Sequence, residues 1–221
     1  MPALRADSPL SLSLPPIRAV ILDYGDVISH PADPAVIARM AEMFRLTEER
    51  FRQIYGSFRL AYDRGTLDAT QYWSNIAQTA GVEAGPQLIA ELRRMDVAMW
   101  SRLNLPVLRW AERLRAAGLK TAVLSNMHLD MVQHVQSNGS WTKSFDCLTL
   151  SSAIGMAKPD PEIFKYCLKG LNVAPQEALF IDDREINVQA AQAQGIRGIV
   201  APSTGQLRAQ LEAMGFRPVP E

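Results

Sequence analysis

The chain has 221 residues, with 23 Lys and Arg set against 23 Asp and Glu, and 48% of its residues are hydrophobic. That length suits one or two compact units with a core of their own, and the composition excludes a disordered or collagen-like chain. The zero formal charge removes the electrostatic grounds for nucleic acid or an anionic membrane as main partner.

Residues 1–17 hold a short apolar stretch broken by Ser and Pro that runs into a strand-like segment without a small-residue cleavage site. They are read as a flexible tail, not as a signal peptide. No apolar run approaches the roughly 20 residues of a membrane helix. Cys147 and Cys167 lack the close spacing of a disulfide framework, so both are expected reduced and buried in a cytoplasmic protein.

Residues 18–23 form a short apolar run bounded by Pro16 and Gly25, the pattern of a parallel strand buried on both faces. Similar runs follow at 119–125, 145–150, 178–181 and 198–200. Helical patterns lie between and after them, at 107–117, 128–136, 161–169, 185–194 and 204–214. Strand, helix, strand at this rhythm predicts βαβ units and a doubly wound, Rossmann-like parallel sheet.

One stretch breaks the rhythm. Residues 31–105 are too long for a structureless loop and show helical periodicity instead. Its marks are Val36-Ile37-Met40-Met43-Phe44, Phe51-Ile54-Tyr55-Phe58, Tyr72-Trp73-Ile76 and a candidate helix over 88–100. Thr47 and Thr66 or Asp68 offer helix caps. The predicted organisation is a core of residues 18–30 and 106–221 with a helical insertion of residues 31–105.

In open α/β sheets ligands sit at the carboxyl ends of the strands. Asp23 follows the first predicted strand, Ser125-Asn126 the second and Asp182-Asp183 the fourth, with Asn187 one helical turn on; Lys158 lies in the loop after the third. Singly, each has a plain alternative: helix cap, turn, solvated loop. Jointly, three carboxylates, a hydroxyl and a lysine converge on one rim.

The segments ILDYGDVI, VLSN, KPDPEIF and FIDDREIN resemble the haloacid dehalogenase superfamily of phosphatases and related hydrolases. The insertion is similar to that superfamily's helical cap, and residues 61–68 with Tyr72-Trp73 resemble its small sugar-phosphate phosphatase branch. The resemblance implies a phosphomonoester hydrolase acting on a small phosphorylated metabolite, with Asp23 as nucleophile. It implies Mg²⁺ held by Asp23, the Gly25 carbonyl and Asp183, with Asp182 and Asn187 behind them. Ser125, the Asn126 backbone N–H and Lys158 would hold phosphoryl oxygens, Lys158 bridging them to Asp23.

The chain departs from that pattern at one position. Most phosphatases of the superfamily carry an acid two residues after the nucleophile; here it is Gly25, and Asp26 falls one place late. General acid–base help is worth about 10²–10⁴-fold. Asp26 and His30 are the candidate replacements by position, though Asp26 reads better as a turn residue and His30 as a solvated one. His128 and His134 read as helix-surface residues. Candidate substrate contacts are Tyr24, His30, Arg59, Tyr62, Arg64 and Trp73, with cap packing as their alternative. Two other functions stay open: a 2-haloacid dehalogenase, whose halide leaves without a proton, and a weak member retained for binding or regulation.

Overall fold

The computed structural model describes residues 16–221, so the tail expected over 1–17 lies, through residue 15, outside the described residues. Strand β1 (Ala19–Leu22) leads through a tight turn, Tyr24–Ile28, into α1 (Pro34–Met43), α2 (Glu48–Ser57), α3 (Arg59–Arg64), α4 (Ala69–Ala80) and α5 (Pro86–Trp100). Next come α6 (Leu105–Ala116), β2 (Lys120–Ser125), α7 (Leu129–Asn138), β3 (Cys147–Leu150), α8 (Ser151–Ile154) and α9 (Pro161–Leu171). The chain finishes with β4 (Ala178–Asp182), α10 (Glu185–Ala193), β5 (Arg197–Val200) and α11 (Thr204–Ala213).

Among the described residues the strands form one five-stranded parallel sheet in the order β3-β2-β1-β4-β5. The expected α/β fold is thus the observed one. Side chains alternate across a strand, and β1 shows the consequence. Val20 and Leu22 join the core cluster under α6, α7 and α11, while Ala19 and Ile21 join the one under α9 and α10. Both faces are buried, which is why the strand reads as an unbroken apolar run.

β3 is shorter than the run 145–150. Asp146 stands just before it, and its carboxylate accepts from the Thr121 backbone N–H at 2.8 Å. Cys167 is buried as expected, Cys147 only partly, and both thiols are free.

Helices α1 to α5 build a hydrophobic cluster of their own, centred on Phe44, Phe51, Tyr72, Trp73, Ile76 and Leu92. The two passages between this group and the sheet run side by side. Ser29 bridges Leu103, the His30 N–H donates to the Arg102 carbonyl at 2.7 Å, and Asn104 N–H donates to Ile28 at 2.8 Å. Trp100, ending α5, packs against the cap cluster and the sheet cluster alike. Among the described residues no helix is long and apolar enough to cross a membrane.

Trp73 has no exposed surface, so Trp73→Ala should remove about 3–5 kcal/mol of stability in denaturant unfolding. A loss under about 1 kcal/mol would show that the helices do not depend on this shared cluster.

Candidate active site

The strand register brings the expected residues together. Leu22 stands beside Val123 on one side and Ile181 on the other, so β1, β2 and β4 end at one edge. Asp23 continues from β1, its N–H donating to the Ile181 carbonyl at 2.9 Å and its carboxylate accepting from the Tyr24 N–H at 2.7 Å. Among the described residues, Asp23, Asp182 and Asp183 form a group whose ligand oxygens lie within 4.8 Å of one another.

Lys158 supplies the countercharge. Its buried ammonium lies 2.8 Å from Asp23 and 2.6 Å from Asp182, with the Phe180 ring centroid 5.4 Å away. The Asn126 side chain fixes the lysine's backbone at two points, Nδ2 donating to the Lys158 carbonyl and Oδ1 accepting from its N–H, each at 2.8 Å. Asp182 is fully buried and spent on Lys158, on the Arg184 N–H at 2.8 Å and on the Asn187 amide at 3.0 and 3.1 Å. Its carboxylate is thus taken up by neighbouring groups of the floor. The Asn187 Oδ1 is buried without a hydrogen-bond partner.

Negative charge is in excess here, and the protonation behaviour follows from it. Burial, then the Asp182 and Asp183 carboxylates, push the Asp23 carboxyl up to about 7 against the opposing pull of Lys158. Burial, Asp182 and Asp26 raise Asp183 to about 6. Burial works against the Lys158 charge too, but its two carboxylate partners outweigh it and hold the proton above the ordinary lysine range.

Above this floor lies a cavity of about 530 Å³ between the sheet edge and α2, α3 and α5. Asp23, Gly25, Ser125, Asn126, Lys158, Asp183 and Asn187 all line it, as does Tyr24, whose hydroxyl donates to the Trp100 carbonyl at 2.8 Å. Asp26 lines it as well, in the left-handed region at φ 59°, within the expected turn.

Other sequence candidates fall elsewhere. His30 is exposed and outside the lining, and Arg64 turns away to Asp160 at 2.8 Å. Tyr62 and Trp73 are buried packing residues. Arg59 reaches the wall, but its guanidinium is held by Asp63 at 2.9 Å and Asp96 at 3.2 Å. His128 is a correction: far from the helix surface, it is fully buried, stacked on Tyr62 at 4.6 Å and 3.4 Å from Asp96. The pairing of α3 and α5 with the loop after β2 creates that burial, and local periodicity carries no trace of it. The lining residues missed in the sequence are chiefly Trp100, Met127, Met131 and Ile186. Met127 alone carried a positional signal, two residues after Ser125 at a strand exit.

A model of hydrolases described as haloacid dehalogenase-like matches residues 17–195. The chain belongs to the haloacid dehalogenase-like hydrolases. It is 38% identical over 146 residues to mouse (Mus musculus) acyl-CoA dehydrogenase family member 10, a match covering 59% of this chain and 13% of that protein's length. With phosphatase MT3486 of Mycobacterium tuberculosis (strain CDC 1551 / Oshkosh) it shares 30% identity over 145 residues, 65% of each chain. A solved structure of HAD family enzyme BT-2542 from Bacteroides thetaiotaomicron, in complex with magnesium and inorganic phosphate, is similar at TM-score 0.67 and 25% identity. That likeness covers 83% of this chain and 93% of the other.

An unfolded aspartate titrates near 4. This hydrolase holds the Asp23 proton more tightly when folded, so without a divalent cation it loses stability as pH rises from the unfolded value through the folded one. Asp23→Asn removes that loss. In chelator, the stability of the variant relative to the native protein should grow by more than about 1 kcal/mol between about pH 5 and about pH 7.5. A pH-independent difference would contradict the crowded-carboxylate geometry.

Proposed function

We propose that this chain is a phosphomonoester hydrolase that works through a phosphoryl group carried on Asp23. The observation behind it is the acidic floor of a cavity under the helical insertion, with oxygens of Asp23, Asp182 and Asp183 within 4.8 Å. The magnesium- and phosphate-bound relative and the mycobacterial phosphatase support the same reading.

The donor set fits Mg²⁺: hard carboxylate oxygens in excess over the Lys158 charge, and the unpartnered Asn187 Oδ1 nearby. Asp23, the Gly25 carbonyl and Asp183 would hold the ion, with Asp182 and Asn187 positioning them. When bound, the ion supplies the positive charge that lets a carboxylate approach a phosphate dianion.

The chain's own residues do the rest. An Asp23 oxygen bonds to phosphorus while the ester P–O bond breaks, its electron pair leaving on the alcohol oxygen. A water molecule then attacks phosphorus, restoring the carboxylate and releasing phosphate. Lys158 has three ammonium donors; two are spent on Asp23 and Asp182, and the third is free to meet a phosphoryl oxygen. The Ser125 hydroxyl and Asn126 N–H complete that grip on charge that spreads in the transition state. Residues 31–105 act as a cap that excludes bulk water over the core of residues 18–30 and 106–221. A phosphorylated small molecule is the partner; the sugar-phosphate branch rests on the likeness of residues 61–68 alone.

Gly25 shapes the chemistry. A Cβ there would stand 3.7 Å from the Trp100 ring, so the position of the usual acid faces an aromatic surface. The leaving oxygen must depart with little protonation, which favours aryl, acyl or anomeric phosphates. Asp26 is the lining residue able to supply a proton instead.

Phosphate release from a panel of esters should require Mg²⁺ and fall more than about 10³-fold in Asp23→Asn. Halide release in chelator, without phosphate release in Mg²⁺, would favour the dehalogenase alternative. The rate should also fall steeply as leaving-group pKa rises, and Gly25→Asp should gain at least about tenfold on alkyl phosphates. A flat dependence would show that an acid, Asp26 foremost, is already at work.

A further inference from the structure

We propose that the cavity receives the leaving group as an apolar body, so that the substrates are phosphate esters of hydrophobic phenols or similarly acidic apolar hydroxyl compounds and not of sugars. This rests on the hydrolase reading and names the substrate class for the same site.

The cavity of about 530 Å³ is far larger than a phosphoryl group needs. Apart from the Arg59–Asp63 pair of the cap, its charged residues gather on the floor and core side: Asp23, Lys158 and Asp183, with Asp26 and Arg184 in the turns beside them. Above the floor the walls change character. Tyr55 and Leu60 come from the cap, Trp100 from the end of α5, Met127 and Met131 from the segment after β2, and Ile186 from α10. Aromatic rings and thioethers adapt to apolar shapes and give hydroxyl groups nothing to bond.

Most of the bonding capacity of the cap's charged groups is spent on one another, with the Arg59 Nη2 outside these bonds. The Arg59 Nε donates to both Asp63 oxygens at 2.9 and 3.0 Å, and its Nη1 donates to Asp96 at 3.2 and 3.3 Å and to the Tyr55 hydroxyl. The Tyr55 hydroxyl itself donates to Asp96 at 2.6 Å. A polyhydroxylated leaving group would surrender its water and find most of these partners taken, which costs the desolvation of each hydroxyl left unpaired.

The rim carries a second sign. Among the described residues, Leu60 is 48% exposed and Ile186 53% exposed, two of the few large hydrophobic side chains left in water. Both line this cavity, one from the cap and one from the sheet side. An apolar ligand entering between them would bury surface that now stands open. The Trp100 ring beside Gly25 extends the same wall down to the leaving oxygen.

A series of 4-alkylphenyl phosphates, from methyl to butyl, tests this directly, because the leaving-group acidity barely changes while apolar length grows. In Mg²⁺, kcat/KM should rise by up to roughly fourfold for each methylene buried, and the butyl ester should exceed glucose 1-phosphate more than tenfold. Leu60→Ser and Ile186→Ser, at half-exposed positions that folding tolerates, should each flatten the series. A flat or falling series, or preference for the sugar phosphate, would overturn the proposal while leaving the hydrolase standing. Binding of butylphosphonate against methylphosphonate, measured by calorimetry, reads the pocket without turnover. Tighter binding of the longer chain supports the apolar site, and equal affinity overturns it. Absence of Mg²⁺-dependent phosphate release from every ester would instead remove the hydrolase reading.

Discussion

Three carboxylates crowded around one ammonium set the terms for the rest of this molecule. Asp23, Asp182 and Asp183 share a few ångströms at the end of a buried parallel sheet, and Lys158 answers only part of their charge. An arrangement of that kind is costly in a folded chain, because burial and mutual repulsion both oppose ionisation. It persists because the surrounding structure over-determines it. Asp182 is held by three neighbours, and the Asn126 amide clamps the backbone of Lys158 from the adjacent strand end. The residual negative charge is what makes the site suited to a divalent cation and, through it, to phosphate.

The helical insertion completes the chamber, and the charges it brings there, Arg59 and Asp63, are paired with each other. Its own hydrophobic cluster makes it a firm body, and Trp100 belongs to that cluster and to the sheet's cluster together. The cap's buried ion pairs are directed inward, Arg59 to Asp63 and Asp96, with His128 of the core approaching from below. What reaches the cavity is therefore mainly apolar surface, over a floor of strong charge. Such a division suits a substrate with one ionic end and one greasy end.

The sheet and the floor of the site were readable from the sequence for one reason. Strands buried on both faces leave continuous apolar runs, and ligands gather where those runs stop. Asp23, Ser125, Asn126, Lys158, Asp182 and Asp183 could be found that way. The walls could not. Arg59 and His128 look like solvated residues locally, and their burial depends on Asp96, 37 and 32 positions away respectively in the chain. Trp100 reads as one more helix residue until the two clusters close around it. Arg64 and His30 show the converse, since proximity in sequence to the cap loops did not bring them to the cavity.

The central claim is that Asp23 captures phosphorus covalently with help from a cation that it shares with Asp183. The most direct measurement is a rapid quench during turnover in Mg²⁺, followed by borohydride, which converts an aspartyl-phosphate into homoserine, and peptide mass mapping. Homoserine at position 23, present with Mg²⁺ and ester and absent when either is withheld, is the predicted result. An unmodified Asp23 during sustained phosphate release, or homoserine at another aspartate, would contradict the account.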